Sequence, residues 1–439
     1  MRIRLFCLCL LGAVTALAFA SRPLPTSGQP APGAVRPVTW SKDVAPIVQE
    51  HCQGCHRTGD IAPFPLVSYD AAFSHRKKIL RTVERRSMPP WKPVPGFGDF
   101  LDVRRLSDGE VQVIRDWVAA GAPEGDPRDL PPARQWPSTW TLGTPDAVLT
   151  PESAYEVPSA DRDLYRCFVI PTAFPEDVYL AAVDFIPGNR QIVHHVLTYL
   201  DTSGASVKLD AADPGLGYTC FGGPGFPPAG GIGGWAPGAV ARVKPDGVGT
   251  LLPAGARVVL QVHYHNRTGA PASDRTQIGL YVSKKPVDKR ARAIPILNAT
   301  FLIPAGDAHH EVHASYTIPP GRDLHAIGIA PHMHLLGREM KVTATYPDGS
   351  VRPLIYIDDW DFHWQGSYTF VKPVPLPGGT RIDVLAVYDN SAANRRNPTK
   401  PPRDVQWGEG TTDEMCIAFI SVTADAEHLD FHPRAEAIR

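Results

Sequence analysis

His332 and His334, one residue apart at the end of the apolar run Ala326-Ile327-Gly328-Ile329-Ala330-Pro331, constrain this chain more than any other feature. Alternate residues of a strand share a face, so in an extended segment both imidazoles point one way and Met333 points the other. Two neutral imidazoles on one face suit a transition metal such as copper, zinc, nickel or iron. Such a site needs at least one further ligand from elsewhere in the chain.

Three other stretches offer candidates: His194 and His195 in Val193-His194-His195-Val196, His263 and His265 in Gln261-Val262-His263-Tyr264-His265, and Met415 in Asp413-Glu414-Met415-Cys416. His194 and His195 are neighbours, so a regular strand sends them to opposite faces. Both reach one ion only if the backbone bends there or one ring uses a different nitrogen. His263 and His265 share a face, so spacing alone nominates both. Met415 carries a soft thioether that favours Cu(I); Met333 and Met340 are rivals, although Met333 falls on the wrong face by alternation. Two imidazoles and one thioether leave a coordination position open, which separates a catalytic metal site from a structural one. His309, His310 and His313 read as solvated loop and strand histidines, and Trp360, Phe362, Trp364 and Tyr368 as core or pocket wall.

The surroundings of these motifs are short strand patterns: 179–185, 193–200, 257–264, 341–346, 381–388 and 417–423, with Pro347-Asp348-Gly349-Ser350 as a hairpin turn between two of them. With 46 prolines and 38 glycines, the chain is turn-rich, and frequent short strands favour a sandwich or jelly roll. A length of 439 residues leaves room for two or three domains. The formal net charge of -1 gives no electrostatic case for nucleic acid or an anionic membrane as partner.

The N-terminal third reads differently. Arg2 and Arg4, the apolar run from Leu5 to Phe19 and the Ala18-Phe19-Ala20 end form a secretory signal, residues 1–20, which takes Cys7 and Cys9 with it. No later stretch is apolar enough to cross a bilayer, so a secreted or periplasmic protein is expected. A Pro/Gly/Ala/Ser-rich tether follows over 21–38. Ser41 is the expected N-cap of a helix that runs to His51 and into Cys52-Gln53-Gly54-Cys55-His56. Cys-x-x-Cys-His is the attachment motif of haem c: two thiols add to the vinyl groups and the imidazole reaches the iron. Met88, in Ser87-Met88-Pro89-Pro90-Trp91, is the candidate sixth ligand, with His75 as its rival, and this region resembles small bacterial c-type cytochromes. A closing helix over 107–120 places Val111, Ile114, Trp117 and Val118 at helical spacing. The expected divisions are a cytochrome c-like domain over 39–127 and a proline-rich linker over 128–150. Of the remaining cysteines, Cys167, Cys220 and Cys416, two can pair, and the sequence leaves open which.

In order and context, the four histidine and methionine motifs resemble the copper type II ascorbate-dependent monooxygenases, over roughly residues 160 to 425. The resemblance implies that His194, His195 and His263 hold one copper and that His332, His334 and Met415 hold a second. His265 is left as a neighbour or substitute ligand. It further implies two all-β jelly-roll or sandwich domains side by side, 151–292 and 293–439, following the small all-α domain. The family hydroxylates an unactivated C–H bond with dioxygen and an electron donor, ascorbate-like or a redox protein. Its peptide-amidating members carry an arginine two places before the first His of the His-x-His, where this chain has Ala330. They also carry an asparagine and a tyrosine two and four places after the methionine, where this chain has Ile417 and Phe419. A small, less polar substrate is therefore expected in place of a peptide carboxylate. The haem adds a one-electron relay, expected to feed the His194/His195/His263 copper. A non-catalytic periplasmic copper-binding or electron-transfer protein is the alternative; a zinc hydrolase is disfavoured, because no carboxylate is spaced as a general base and methionine is a poor zinc ligand.

Overall fold

A computed structural model describes residues 36–58, 60, 62–136, 140–160, 163–236, 239–408 and 410–433. The signal segment and the tether up to residue 35 lie outside them. From Val38 onward the chain forms one compact unit, built, among the described residues, on three large hydrophobic cores and a small fourth around Cys167 and Cys220. No helix among the described residues is long and apolar enough to cross a membrane.

The first core is helical. α1 (Ala45–His51), α2 (Tyr69–Glu84) and α3 (Asp108–Ala119) close over Trp40, Val44, Val48, Ile79, Ile114 and Trp117. Ser68 caps α2 by accepting the Ala71 N–H, and Ser107 with Glu110 forms a capping box on α3. The N-cap expected at Ser41 is corrected: Ser41 is buried inside a π-turn, Trp40–Val44, that precedes α1. Trp40 must be covered by Trp117 and Tyr69, at 5.9 and 6.5 Å between rings, which draws the first turn forward. Thr39 then stands at the boundary, and its backbone N–H donates to the Asp43 carboxylate at 2.9 Å.

Between α2 and α3 the chain runs along the far β region. The Val94 N–H donates to the Tyr356 carbonyl (2.8 Å), Val371 N–H to Asp99 (2.9 Å) and Leu101 N–H to Thr369 (2.9 Å). Backbone pairing thus ties the helical part to the second sandwich.

The first sandwich has as its principal strands β1 (Leu164–Pro171), β2 (Val178–Ile186), β3 (Val193–Asp201), β4 (Val248–Leu252), β5 (Arg257–Tyr264) and β6 (Gln277–Val282). β1-β5-β3 form the middle of one five-stranded sheet and β6-β2-β4 that of the other. Phe168, Val196 and Val262 of the first meet Leu180, Leu252 and Ile278 of the second. A short strand, Ala147–Leu149, inside the segment read as linker, pairs antiparallel with β6. Cys167 on β1 is bonded to Cys220, with a sequence separation of 53, and Cys416 is a buried free thiol.

The second sandwich comprises β7 (Arg292–Asn298), β8 (His310–Thr317), β9 (Leu324–His332), β10 (Gly337–Thr345), β11 (Val351–Ile357), β12 (Tyr368–Leu376), β13 (Arg381–Tyr388) and β14 (Cys416–Ala424). Its sheets run β7-β14-β9-β12 and β8-β13-β10-β11. Met333 and Met340 are fully buried in its core with Ile329, Val342 and Tyr388. The Pro347–Ser350 turn joins β10 to β11, with Gly349 at φ +84°, a left-handed conformation that favours glycine.

Candidate metal centres

β3 and β5 are hydrogen-bonded neighbours, and His195 stands opposite His263. Their register shifts between Val193 and His195, and this irregularity supplies the bend that two adjacent ligands need. His194 Nδ1 comes to 3.1 Å from His195 Nδ1, and His195 Nδ1 to 3.3 Å from His263 Nδ1. Ligand atoms of the three residues lie within 4.8 Å of one another. Imidazole nitrogens about 2.0 Å from one ion, at the corners of a tetrahedron, stand about 3.3 Å apart; the donor set fits a single cation. Burial lowers His194 to about 3 and also lowers His195 and His263, so the rings stay in the neutral form that ligates.

Asp163 lies behind this cluster. His265 donates through Nδ1 to its carboxylate at 2.7 Å, while the buried His263 Nε2, without a hydrogen bond of its own, lies 3.4 Å from the same oxygen. Burial pushes the Asp163 carboxyl up, but the two histidines outweigh it and hold the group well below the usual carboxylate range. His265 is therefore a partner of Asp163 at the edge of the cluster. Tyr165 stacks flat on His263, at 4.3 Å and 9°.

The second cluster lies where β9 ends. His332 stands opposite Ile417 of β14; its Nδ1 donates to Gln365 Oε1 at 2.6 Å. The Gln365 amide nitrogen donates to the Phe362 carbonyl, which fixes the orientation of that amide. His334 Nδ1 donates to the Asp413 carbonyl at 3.0 Å. Both Nδ1 atoms face oxygens that only accept, so both must carry the proton, and both Nε2 atoms remain as ligand atoms. The rings lie 5.1 Å apart, and burial lowers His332 to about 3. Continuing the β9–β14 register sets Met415 opposite His334, on the face that Ile417 and His332 share.

Glu414 organises this corner. It is fully buried, and its carboxylate accepts the backbone N–H groups of Leu336 (2.6 Å), His334 (2.8 Å) and Met415 (3.3 Å). Burial outweighs these bonds and pushes its carboxyl up to about 8. One side chain thus ties the His-x-His turn to the residue that carries the thioether.

The two clusters face each other across Phe362. Its ring lies 6.2 Å from His194, near parallel, and 5.7 Å from His334, edge-on. His363 lies 5.9 Å from His194. Asp163, Gln365 and Glu414 escaped the sequence reading; only Glu414 had a signal there, an acid beside a candidate ligand at the start of an apolar strand.

The remaining candidates lie apart from the two clusters. Cys52 and Cys55 are free thiols in the turn after α1, and burial pushes Cys52 up to about 12. His56 Nδ1 donates to the Phe64 carbonyl at 2.9 Å. His75 stacks on the Phe64 ring at 3.9 Å and donates through Nδ1 to the Ala71 carbonyl. Met88 lines a small cavity with Pro89, Trp91 and Leu106. His309 and His313 flank Glu311, and His310 pairs with Asp307, at the surface.

Residues 296–428 match the C-terminal domain of the copper type II ascorbate-dependent monooxygenases. His332, His334 and Met415 fall inside that stretch. The chain is 28% identical over 286 residues to the DBH-like monooxygenase protein 1 of Mus musculus, covering 58% of this chain and 44% of that protein. It is 26% identical over 360 residues to the Homo sapiens protein of the same name, covering 73% and 55%. The chain thus spans about half the length of the curated relatives it matches. These matches support the copper monooxygenase family. Among solved structures, similarity extends to the VP2 subviral particle of infectious bursal disease virus (11% identity, 69% of this chain and 77% of that one, TM-score 0.20) and to PNGF-II (9%, 64% and 66%, TM-score 0.27). Overlaps that loose carry no argument about fold or function.

Proposed function

We propose that this chain is an exported copper-dependent monooxygenase that hydroxylates a C–H bond of a small, weakly polar organic substrate with dioxygen. One oxygen atom enters the product and the other leaves as water, which consumes two electrons and two protons. Copper, when bound, supplies one-electron storage at the three-histidine cluster and dioxygen chemistry at the other. His194, His195 and His263 hold the first ion; His332, His334 and Met415 hold the second.

The observation that carries this reading is the pair of Nδ1 anchors on His332 and His334, which leaves both Nε2 atoms free for a metal within the matched stretch. Gln365 and the Asp413 carbonyl orient the two rings, Glu414 holds the turn, and Phe362 keeps an apolar wall between the clusters. The substrate side follows from the register. Ala330 faces Phe419 and His332 faces Ile417 across β9 and β14, while Pro295 and Leu297 of β7 extend the same face. Phe419 and Leu297 are 38% and 44% exposed. This platform has no cation to take a carboxylate and favours an aromatic or aliphatic substrate.

Electrons arrive, in this reading, from an ascorbate-like donor or a redox protein through one covalent haem c on Cys52, Cys55 and His56, with Met88 as the sixth ligand. Its support is the donor set. The two thiols stay unpaired in a chain that oxidises Cys167 and Cys220, and the His56 Nδ1 bond leaves Nε2 for iron. The leader pattern of residues 1–20 and the disulfide support export.

The test is a screen of small aromatic and aliphatic compounds with the copper-loaded, reduced protein under isotopically labelled dioxygen. One labelled oxygen atom per product molecule, dependent on copper, is expected. Substrate-independent oxygen uptake with no labelled product would leave a copper and electron carrier instead.

A further inference from the structure

The sequence-based expectation sends electrons from the haem to the three-histidine copper; a set of contacts also leads from the Met88 loop to the second cluster. Met88 and Trp91 line the same small cavity. The Trp91 ring meets Tyr368 edge-on, 5.3 Å between centroids and 87° between planes, and Phe100 closes the cluster at 5.4 Å from Tyr368. Tyr368 begins β12 and stands opposite Ile329 of β9, three residues before His332. Its ring lies against the Gly366 backbone so closely that a Cβ there would come within 2.6 Å of it. Gly366 is bonded to Gln365, and Gln365 Oε1 accepts the His332 Nδ1 proton at 2.6 Å. Packed rings, one peptide segment and one short hydrogen bond thus lead from the Met88 loop to His332 without a gap. The segment is held in place by the backbone pairing of Leu101 with Thr369 and of Asp99 with Val371.

We infer that Trp91 and Tyr368 form the bridge through which single electrons pass from the helical part to the copper held by His332 and His334. This rests on the haem and copper assignments proposed above. Each transfer takes one electron from iron, ferrous to ferric, and gives it to copper, cupric to cuprous. No proton needs to cross. Trp91 and Tyr368 are coupling residues; neither ligates a metal.

The experiment uses the full chain loaded with copper and haem. The haem is reduced anaerobically, and its reoxidation by Cu(II) is followed by stopped flow at the haem absorption bands. Trp91→Leu and Tyr368→Leu are expected to slow this step at least tenfold at unchanged haem content, copper content and haem potential. Tyr368→Phe and Trp91→Phe, which keep a ring in place, are expected to stay within about threefold of the parent and also serve if a leucine variant fails to fold. Arg190→Gln, at a residue whose guanidinium packs over the Trp235 ring of the first sandwich at 5.6 Å, is expected to leave the rate unchanged. Unchanged rates in both leucine variants, or in the folded one if only one folds, or a tenfold loss in Arg190→Gln alone, would overturn the bridge. A chain without the haem absorption bands would overturn the assignment beneath it, a different and separately visible result.

Discussion

The two histidine clusters solve one problem in opposite ways. On β3 and β5 three imidazoles turn their Nδ1 atoms inward, held by a register shift and backed by the Asp163 carboxylate. At the end of β9 two imidazoles spend Nδ1 on carbonyl oxygens and keep Nε2 free, with the Met415 thioether proposed as the third donor. The first arrangement is compact, all-nitrogen and backed by negative charge, which suits an ion that only changes oxidation state. The second mixes soft and borderline donors beside an apolar face and leaves room for a reactant. The donor atoms set the two apart, and the backing groups follow that division.

The largest effect expected from breaking this contrast comes from the ligands. His334→Ala is predicted to abolish labelled product and to lower bound copper from two ions to one, read by metal analysis. His263→Ala is predicted to stop multiple turnover while the second copper stays bound. Equal loss of both ions in either variant would show a single shared site and erase the distinction.

Next is the Cys167–Cys220 bond, which belongs to the first sandwich alone. Closing a loop with a sequence separation of 53 corresponds to about 4 kcal/mol of stability in the chain-entropy account. Cys167→Ser with Cys220→Ser is therefore predicted to bring unfolding of the first sandwich well below that of the second in a denaturant titration. A single transition, shifted as a whole, would tie the two sandwiches into one cooperative unit.

Backing groups come third. Gln365→Leu is predicted to weaken copper at the second cluster by about 10- to 100-fold without touching the first. Asp163→Asn is predicted to do the reverse, and both are read by competition with a chelator.

The smallest effect concerns acid. His194 and His332, held down to about 3 by burial, take up protons on unfolding well before they do so when folded. Between about 6.5, the ordinary histidine value, and these lowered values, the unfolded chain binds more protons, so stability falls as pH falls through that window. Asp163, whose folded value is depressed, adds a loss in the same direction at still lower pH. The metal-free protein is predicted to melt several degrees lower at pH 5 than at pH 7. A flat profile would mean that the rings are solvated.

Much of this was legible in the residues. Arg257–Tyr264 reads as a strand because it is a short β-branched and apolar run, buried on both faces, whereas Arg381–Tyr388 alternates over its first half. Alternation also separates Met333, in the core, from His332 and His334. The need for a bend at His194 and His195 could be stated from period two alone, and the register shift supplies it. Other features are invisible to local pattern. Asp163 meets His265 across 102 positions and Gln365 meets His332 across 33, and nothing in the neighbouring letters fixes such pairings. Ser41 misled because an N-cap preference of about 1 kcal/mol yields to the burial of an adjacent tryptophan. The pairing of Cys167 with Cys220 needed coordinates, since three thiols leave the choice open.

The central claim is the division between an all-nitrogen copper and a copper that carries sulfur. X-ray absorption of the fully reduced, two-copper protein tests it most directly. The account predicts one sulfur scatterer per two coppers, lost in Met415→Leu while the nitrogen shell of the first cluster is unchanged. A spectrum without copper–sulfur scattering in the parent protein, or one whose sulfur signal survives in Met415→Leu, would contradict it.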